Sequence, residues 1–401
     1  MKTWTDLVEE AQWPSSFFIP SPHAPRSVWV APACALFPDL AQSLAQTPQD
    51  PIHHAEGDVW THTQMVVDAL LAEPAYASLG PAAKGVVFYA ALLHDIAKPA
   101  TTREQDGRII APGHSARGAV DARVALWEHG VPFVLREQVC RLIESHQVPF
   151  FAFSNRRGIP AEFTARQLAA DRSLDLLCLL ATADMKGRFC QDQQHVLDEI
   201  ELFREMAREL GCLDQPYAFP DSVTRLAYLR SQGRRYADEP VFVENPFEVI
   251  LLSGLPASGK NTWVEQHPQW PTVSYDDLRE EFGLKPGQGT GTLVHAAKDR
   301  MQELLRQRQT FVVNATHLSR QMRSRTLELI ANYGGQVRIV YFEAPREEIL
   351  ARNRERDSTL TNQKLLKMTS RWEVPGNDEA ETVEFRVQEA APRRRAHPRT
   401  P

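Results

Sequence analysis

Apolar residues recur at three- and four-residue spacing through most of residues 59–210, the period of helices that bury one face. The pattern predicts helices over 59–71, 82–96, 115–129, 132–145, 161–170, 174–183 and 193–210. After residue 246 the period changes. Residues 247–252 (FEVILL) form a short apolar run ahead of a glycine-rich loop, as in a strand buried on both faces of a parallel sheet. Residues 272–275, 311–313 and 337–342 read as further strands with helical stretches between them, which predicts an α/β domain. The chain therefore divides into an all-α domain over 51–232, a linker over 233–246 and an α/β domain with a parallel sheet over 247–388. Residues 1–50, with Trp13-Pro14, Pro20, Pro22, Pro25 and Pro32, read as an irregular extension, and 389–401 as a disordered tail of proline and arginine.

Composition changes this picture little. A length of 401 residues accommodates two cores. Hydrophobic content of 43% and charged content of 24% are ordinary for globular chains. No apolar run reaches membrane-spanning length, and the first ten residues carry Asp6, Glu9 and Glu10 rather than a secretory pattern. The expectation is a cytoplasmic protein with no membrane partner. The five cysteines are odd in number and form no CxxC pair, so reduced buried thiols are expected. The net charge of -6 is uneven: 23 basic residues face 20 acidic ones over 247–401, against 22 and 31 before that. This small basic bias suits an anionic substrate but cannot by itself argue for nucleic acid.

The chemistry begins at Leu92-Leu93-His94-Asp95-Ile96-Ala97-Lys98, where a His-Asp doublet is expected inside an apolar helix. Burying both side chains unpartnered is costly. One divalent cation satisfies both, and imidazole with carboxylate suits Mn, Fe, Co, Ni or Zn. His62 lies upstream; His114, His146 and Asp184 follow. This order on successive helices resembles the HD phosphohydrolase superfamily. The stretch His54-Ala55-Glu56-Gly57-Asp58-Val59-Trp60-Thr61-His62-Thr63 makes residues 48–190 most similar to the HD domain appended to some bacterial tRNA nucleotidyltransferases. The resemblance implies that His62, His94, Asp95 and Asp184 hold one metal. It implies that Asp95 bridges to a second metal on His114 and His146, although a one-metal site would leave those two with substrate or structural duties. Lys98 is a candidate to bind phosphate as a point charge, with Arg188 a weaker one.

Gly254-Leu255-Pro256-Ala257-Ser258-Gly259-Lys260-Asn261-Thr262 follows the apolar run with the spacing of a phosphate-binding P-loop. Glycines let the backbone wrap an anion, N–H groups point inward, and the helix N-terminus adds a favourable field. Lys260 is expected on the β- and γ-phosphates of ATP. The usual Ser or Thr after the lysine is Asn261, so either Asn261 or Thr262 is left to hold Mg²⁺. Next, Asp276-Asp277-Leu278-Arg279 resembles an element of phage-type polynucleotide 5′-kinases. By that likeness Asp276 is the general base for a substrate hydroxyl and Arg279 holds a substrate phosphate. Asn314 stands where that family has aspartate, and His317 where asparagine is common. Arg352 and Arg356, four apart on one helix face, match a lid over the ATP phosphates; a solvated basic helix is the plainer alternative.

Together the two halves resemble bacterial end-healing enzymes that fuse an HD phosphoesterase to a polynucleotide kinase. The resemblance implies removal of a 3′-, 2′- or 2′,3′-cyclic phosphate and ATP-dependent phosphorylation of a 5′-hydroxyl. Its partners would be RNA or DNA ends, a nucleoside triphosphate and a nucleic-acid ligase, as in RNA repair. Two rivals stand: an HD hydrolase of free nucleotides with a small-molecule kinase, and an HD hydrolase gated by a P-loop that senses ATP without catalysis.

Overall fold

The computed structural model describes residues 4–154, 158–284, 290–355 and 360–389. Arg356 and the tail from residue 390 lie outside them. The helical part is organised around α1 (Val59–Ala72), α2 (Pro81–Leu93), α3 (His114–Glu128), α4 (Phe133–Ser145) and α5 (Leu174–Lys186). Local chemistry sets their starts. Asp58 caps α1 by accepting the Thr61 amide at 2.9 Å, and Ser173 caps α5 through the Leu176 amide. Proline opens α2, where a missing N–H costs nothing. Every residue of α2 from Val86 to Leu93 is buried, so this apolar helix forms the centre of the bundle.

Two expectations are corrected here. Residues 1–50 are not irregular throughout: helices span Trp4–Glu10, Arg26–Leu36 and Leu40–Ala45. Their Trp29 and Leu44 are fully buried in the helical core. The prolines misled, because Pro32 sits within a helix at a site where the surrounding core overrides its penalty. Second, the His94-Asp95 doublet lies just past the end of α2, in the turn leading to the short helix Lys98–Thr101. The apolar run continues, but the backbone turns to aim both side chains inward.

The C-terminal part is a five-stranded, wholly parallel sheet of β1 (Glu248–Gly254), β2 (Thr272–Ser274), β3 (Phe311–Asn314), β4 (Gln336–Glu343) and β5 (Thr382–Val387). Their spatial order is β2-β3-β1-β4-β5. Strand β5 escaped the sequence pattern because its exposed and half-buried positions lack an apolar run. The chain leaves β1 toward one edge and later returns to its other side, so the crevice beyond the C-terminal end of β1 is the natural ligand position.

The two parts meet along a buried seam. Trp127 of α3 donates to the Ala344 carbonyl at 3.1 Å and stacks edge-on against Trp372. Arg136 of α4 grips Glu343, at the end of β4, through two 2.7 Å hydrogen bonds. Arg123 is shared between Glu137 and the Trp372 carbonyl. Burial opposes charge on Glu137, but Arg123 and Arg136 outweigh it and hold its pKa at about 2. Charges this deeply buried persist only when paired, so the seam tolerates little displacement.

Candidate functional site

Six predicted residues converge in the helical part. His62 comes from α1, and His94 and Asp95 from the turn after α2. His114 opens α3, His146 caps the end of α4, and Asp184 lies in the last turn of α5. All six are buried. They form two triads, His62–His94–Asp184 and Asp95–His114–His146, in each of which the ligand atoms lie within 4.8 Å of one another. Asp95 joins them: Oδ2 is 3.1 Å from His94 Nε2 and 3.9 Å from His62 Nε2, while Oδ1 is 3.5 Å from His114 Nε2. Asp184 Oδ1 lies 3.1 Å from His62 Nε2.

The ring orientations share one device. His94, His114 and His146 each point Nδ1 at the carbonyl three residues earlier, at 2.8, 2.7 and 2.8 Å. His62 points Nδ1 at the Gly187 carbonyl and at Glu56 Oε1, both at 3.0 Å. A proton on each Nδ1 leaves the Nε2 lone pair facing the cluster, the arrangement that metal-ligating histidines adopt. Only glycine lets the chain after α5 come this close: a Cβ on Gly187 would stand 2.6 Å from the Val66 backbone.

The electrostatics favour charged carboxylates and, at His114 and His146, neutral imidazoles. Burial opposes the Asp95 charge, yet His94 and Lys98 hold its pKa well below the carboxylate range. Arg188 and His62 do the same for Asp184. Burial pushes His146 down to about 3 and lowers His114; for His62 the Asp184 and Glu56 carboxylates overcome burial and raise it. Both Asp95 oxygens, Asp184 Oδ2 and His146 Nε2 are buried without an aligned hydrogen-bond partner. Lys98 Nζ is 2.7 Å from Asp95 Oδ2, close enough to balance charge but not aligned as a hydrogen bond, and it also donates to Gln49. Orphaned nitrogen and carboxylate donors of this kind fit a divalent cation.

Glu56 was quoted in the sequence motif but given no role. Its buried carboxylate accepts from His54 and His62 through Oε1 and from the Phe189 amide through Oε2. It stands directly behind His62, a candidate ligand. Glu56→Gln keeps the shape but removes the charge that strengthens His62. Metal affinity, measured by calorimetric titration, is expected to fall about tenfold; an unchanged affinity would limit Glu56 to a packing role.

The second cluster surrounds the end of β1. A cavity of about 1880 Å³ is lined by the loop from Pro256 to Thr262, by Asp276, Arg279 and Asn314, and by Arg352. Gly254 enters the loop with φ near +144°, and a Cβ there would meet the Phe342 carbonyl at 2.3 Å. Lys260 opens α6 (Lys260–Glu265) and donates to the Gly254 and Leu255 carbonyls at 2.9 and 2.7 Å. Asp276 and Arg279 pair in α7 (Tyr275–Glu281), and its cap is Ser274, which frees Asp276 from that duty. Asn261 Oδ1 accepts from Asn314 Nδ2 at 3.0 Å, an oxygen-bearing pair that suits Mg²⁺. His317 also lines the cavity but is almost fully buried, with Nδ1 held on the Leu252 carbonyl. Arg352 pairs with Glu348 and Gln388 at the cavity rim. Arg325, Lys364 and Arg386 also line the cavity; no motif singled them out, since they come from separate elements.

Residues 59–184 match the HD domain family, and residues 249–375 match an AAA domain family. Over 127 residues the chain is 32% identical to the multifunctional CCA protein of Halorhodospira halophila, covering 32% of this chain and 28% of that protein. The chain thus spans under a third of that relative's length. A candidate kinase from Chloroflexus aurantiacus aligns with a TM-score of 0.31 at 15% identity, over 36% of this chain and 87% of that one. The chain thus joins a segment matching the HD domain family to a P-loop segment matching an AAA domain family, and among the described residues no helix is long and apolar enough to cross a membrane.

Proposed function

We propose that this union of an HD domain and a P-loop domain heals nucleic-acid ends, removing a terminal 3′, 2′ or 2′,3′-cyclic phosphate at one site and phosphorylating a 5′-hydroxyl at the other. The observation that carries the reading is the single cavity shared by the phosphate loop, Asp276 and Arg279. Its volume exceeds the roughly 300–1,000 Å³ of small-ligand pockets, leaving room for a strand end beside a nucleotide.

At the helical site, His62, His94 and Asp184 would hold one divalent cation and His114 and His146 a second, with Asp95 between them. Cations so bound supply acidified water and neutralise phosphate oxygens. The protein's own part is to fix the ligand rings through their Nδ1 partners and to present Lys98 toward the phosphate. Arg188, paired with Asp184, adds further positive charge to the site.

At the sheet site, the loop amides and Lys260 grip the β- and γ-phosphates of ATP. Asp276 accepts the proton of the 5′-hydroxyl as its oxygen attacks the γ-phosphorus and ADP leaves. Arg279 holds the adjoining strand phosphate through paired hydrogen bonds. Arg352, which lines the cavity, adds positive charge toward the transferring group, where charge neutralisation is the main contribution a protein can make.

An end-group assay tests the reading. An oligonucleotide with 5′-hydroxyl and 2′,3′-cyclic phosphate ends is incubated with ATP and a series of divalent ions. Both ends should change, each with its own metal requirement. Phosphorylation of nucleosides but not of oligonucleotides would favour the small-molecule reading; bound ATP with no transfer would favour the sensor.

A further inference from the structure

Two departures from the usual P-loop pattern meet in space. Asn261 replaces the hydroxyl residue after Lys260, Asn314 replaces the carboxylate at the end of β3, and the two side chains share a 3.0 Å hydrogen bond across 53 residues of sequence. Both line the phosphate cavity. Either change alone would spoil a hydroxyl–carboxylate pair. Together they rebuild the contact with donor and acceptor exchanged, since the strand side now donates.

We infer that Asn261 and Asn314 work as one neutral amide pair that receives Mg²⁺ through a carbonyl oxygen, and only together with the nucleotide's phosphates. This rests on the reading that the loop binds a nucleotide. An amide oxygen has two lone pairs. On Asn261 one is occupied by Asn314, and the other remains for a cation. Mg²⁺ accepts neutral oxygen ligands, keeps several waters and takes its remaining charge balance from phosphate. Without a carboxylate the pair neither attracts the bare ion nor repels a metal-free nucleotide. The acids nearest in the cavity lining are otherwise committed in part: Asp276 pairs with Arg279, and Glu384 with Arg386. Asp277 and Glu280, which also line the cavity, are the competing sources of charge.

The measurement is the affinity of the full-length protein for a fluorescent ADP, with excess Mg²⁺ and with EDTA. The wild-type ratio of the two affinities should be small. Asn314→Asp restores a carboxylate that repels bare phosphates and attracts the ion, so the ratio should rise about tenfold. Asn261→Ala should bring the ratio toward one. An Asn314→Asp ratio equal to wild type overturns the inference, as does a ratio that collapses in Asp277→Asn but not in Asn261→Ala. Failure of any form to bind ADP under either condition overturns the nucleotide reading itself.

Discussion

Asp95→Asn is expected to abolish phosphate release from 3′ ends and to leave 5′-phosphorylation intact. Among the described residues, Asp95 is the carboxylate that reaches both triads, with one oxygen toward His94 and His62 and the other toward His114. Replacing it with an amide keeps the volume but removes a bridging charge and presents an N–H₂ group to Nε2 atoms or to a cation. Losing such a ligand should weaken metal binding by on the order of 100-fold or more, since even outer partners of ligands matter tenfold to 100-fold. Asparagine is preferable to alanine, because alanine would also open a void beside Lys98, whose Nζ lies 2.7 Å from the carboxylate. Asparagine also loses the charge, but its amide oxygen can still accept from this ammonium. Alanine removes the partner atom altogether, a change that costs about 3–5 kcal/mol for a buried charge and would confuse unfolding with loss of chemistry. The readouts are metal content by elemental analysis and the two end-group activities. Asp95→Asn with normal metal content and normal phosphate release would remove the basis for a bridged metal site.

Lys260→Ala should give the mirror image: 5′-phosphorylation down by about 10²–10³-fold, as when one preorganised donor to a developing charge is removed, with 3′ phosphate release unchanged. Lys260 opens the helix that follows the loop, beside the Gly254 and Leu255 carbonyls. On the proposed reading its ammonium meets the phosphates that the loop amides surround. Asp276→Ala separates the rival readings further. Transfer should fall while ADP affinity holds, because Asp276 lies in α7, outside the loop. A fall in both activities in a well-folded Lys260→Ala protein would contradict two independent sites. It would point instead to ATP acting on the HD site through the seam of Arg136, Glu343 and Trp127.

The local signals were legible from the chain itself. Seven helical runs, four of the five sheet strands, the phosphate loop and the His-Asp doublet each occupy a short window. Within such a window, periodicity or spacing states what the backbone must do. The six metal candidates could be named because the family order is recognisable, but nothing in their spacing says which atoms meet. Segment 1–50 and β5 were misread or missed because their propensities are weak and the core around them decides.

Sequence by itself determined an apolar helical half, a parallel α/β half, an anion cradle before Lys260 and, through a family resemblance, the histidines to set beside Asp95 as candidate ligands. Tertiary structure alone decided that Asp95 stands between two triads, that Glu56 backs His62, that Asn261 meets Asn314, and that Arg136 finds Glu343 across 207 residues. The reason is physical. A side chain's partner is chosen by desolvation and packing among elements distant in the chain, and no local pattern of hydrophobic and polar positions records that choice.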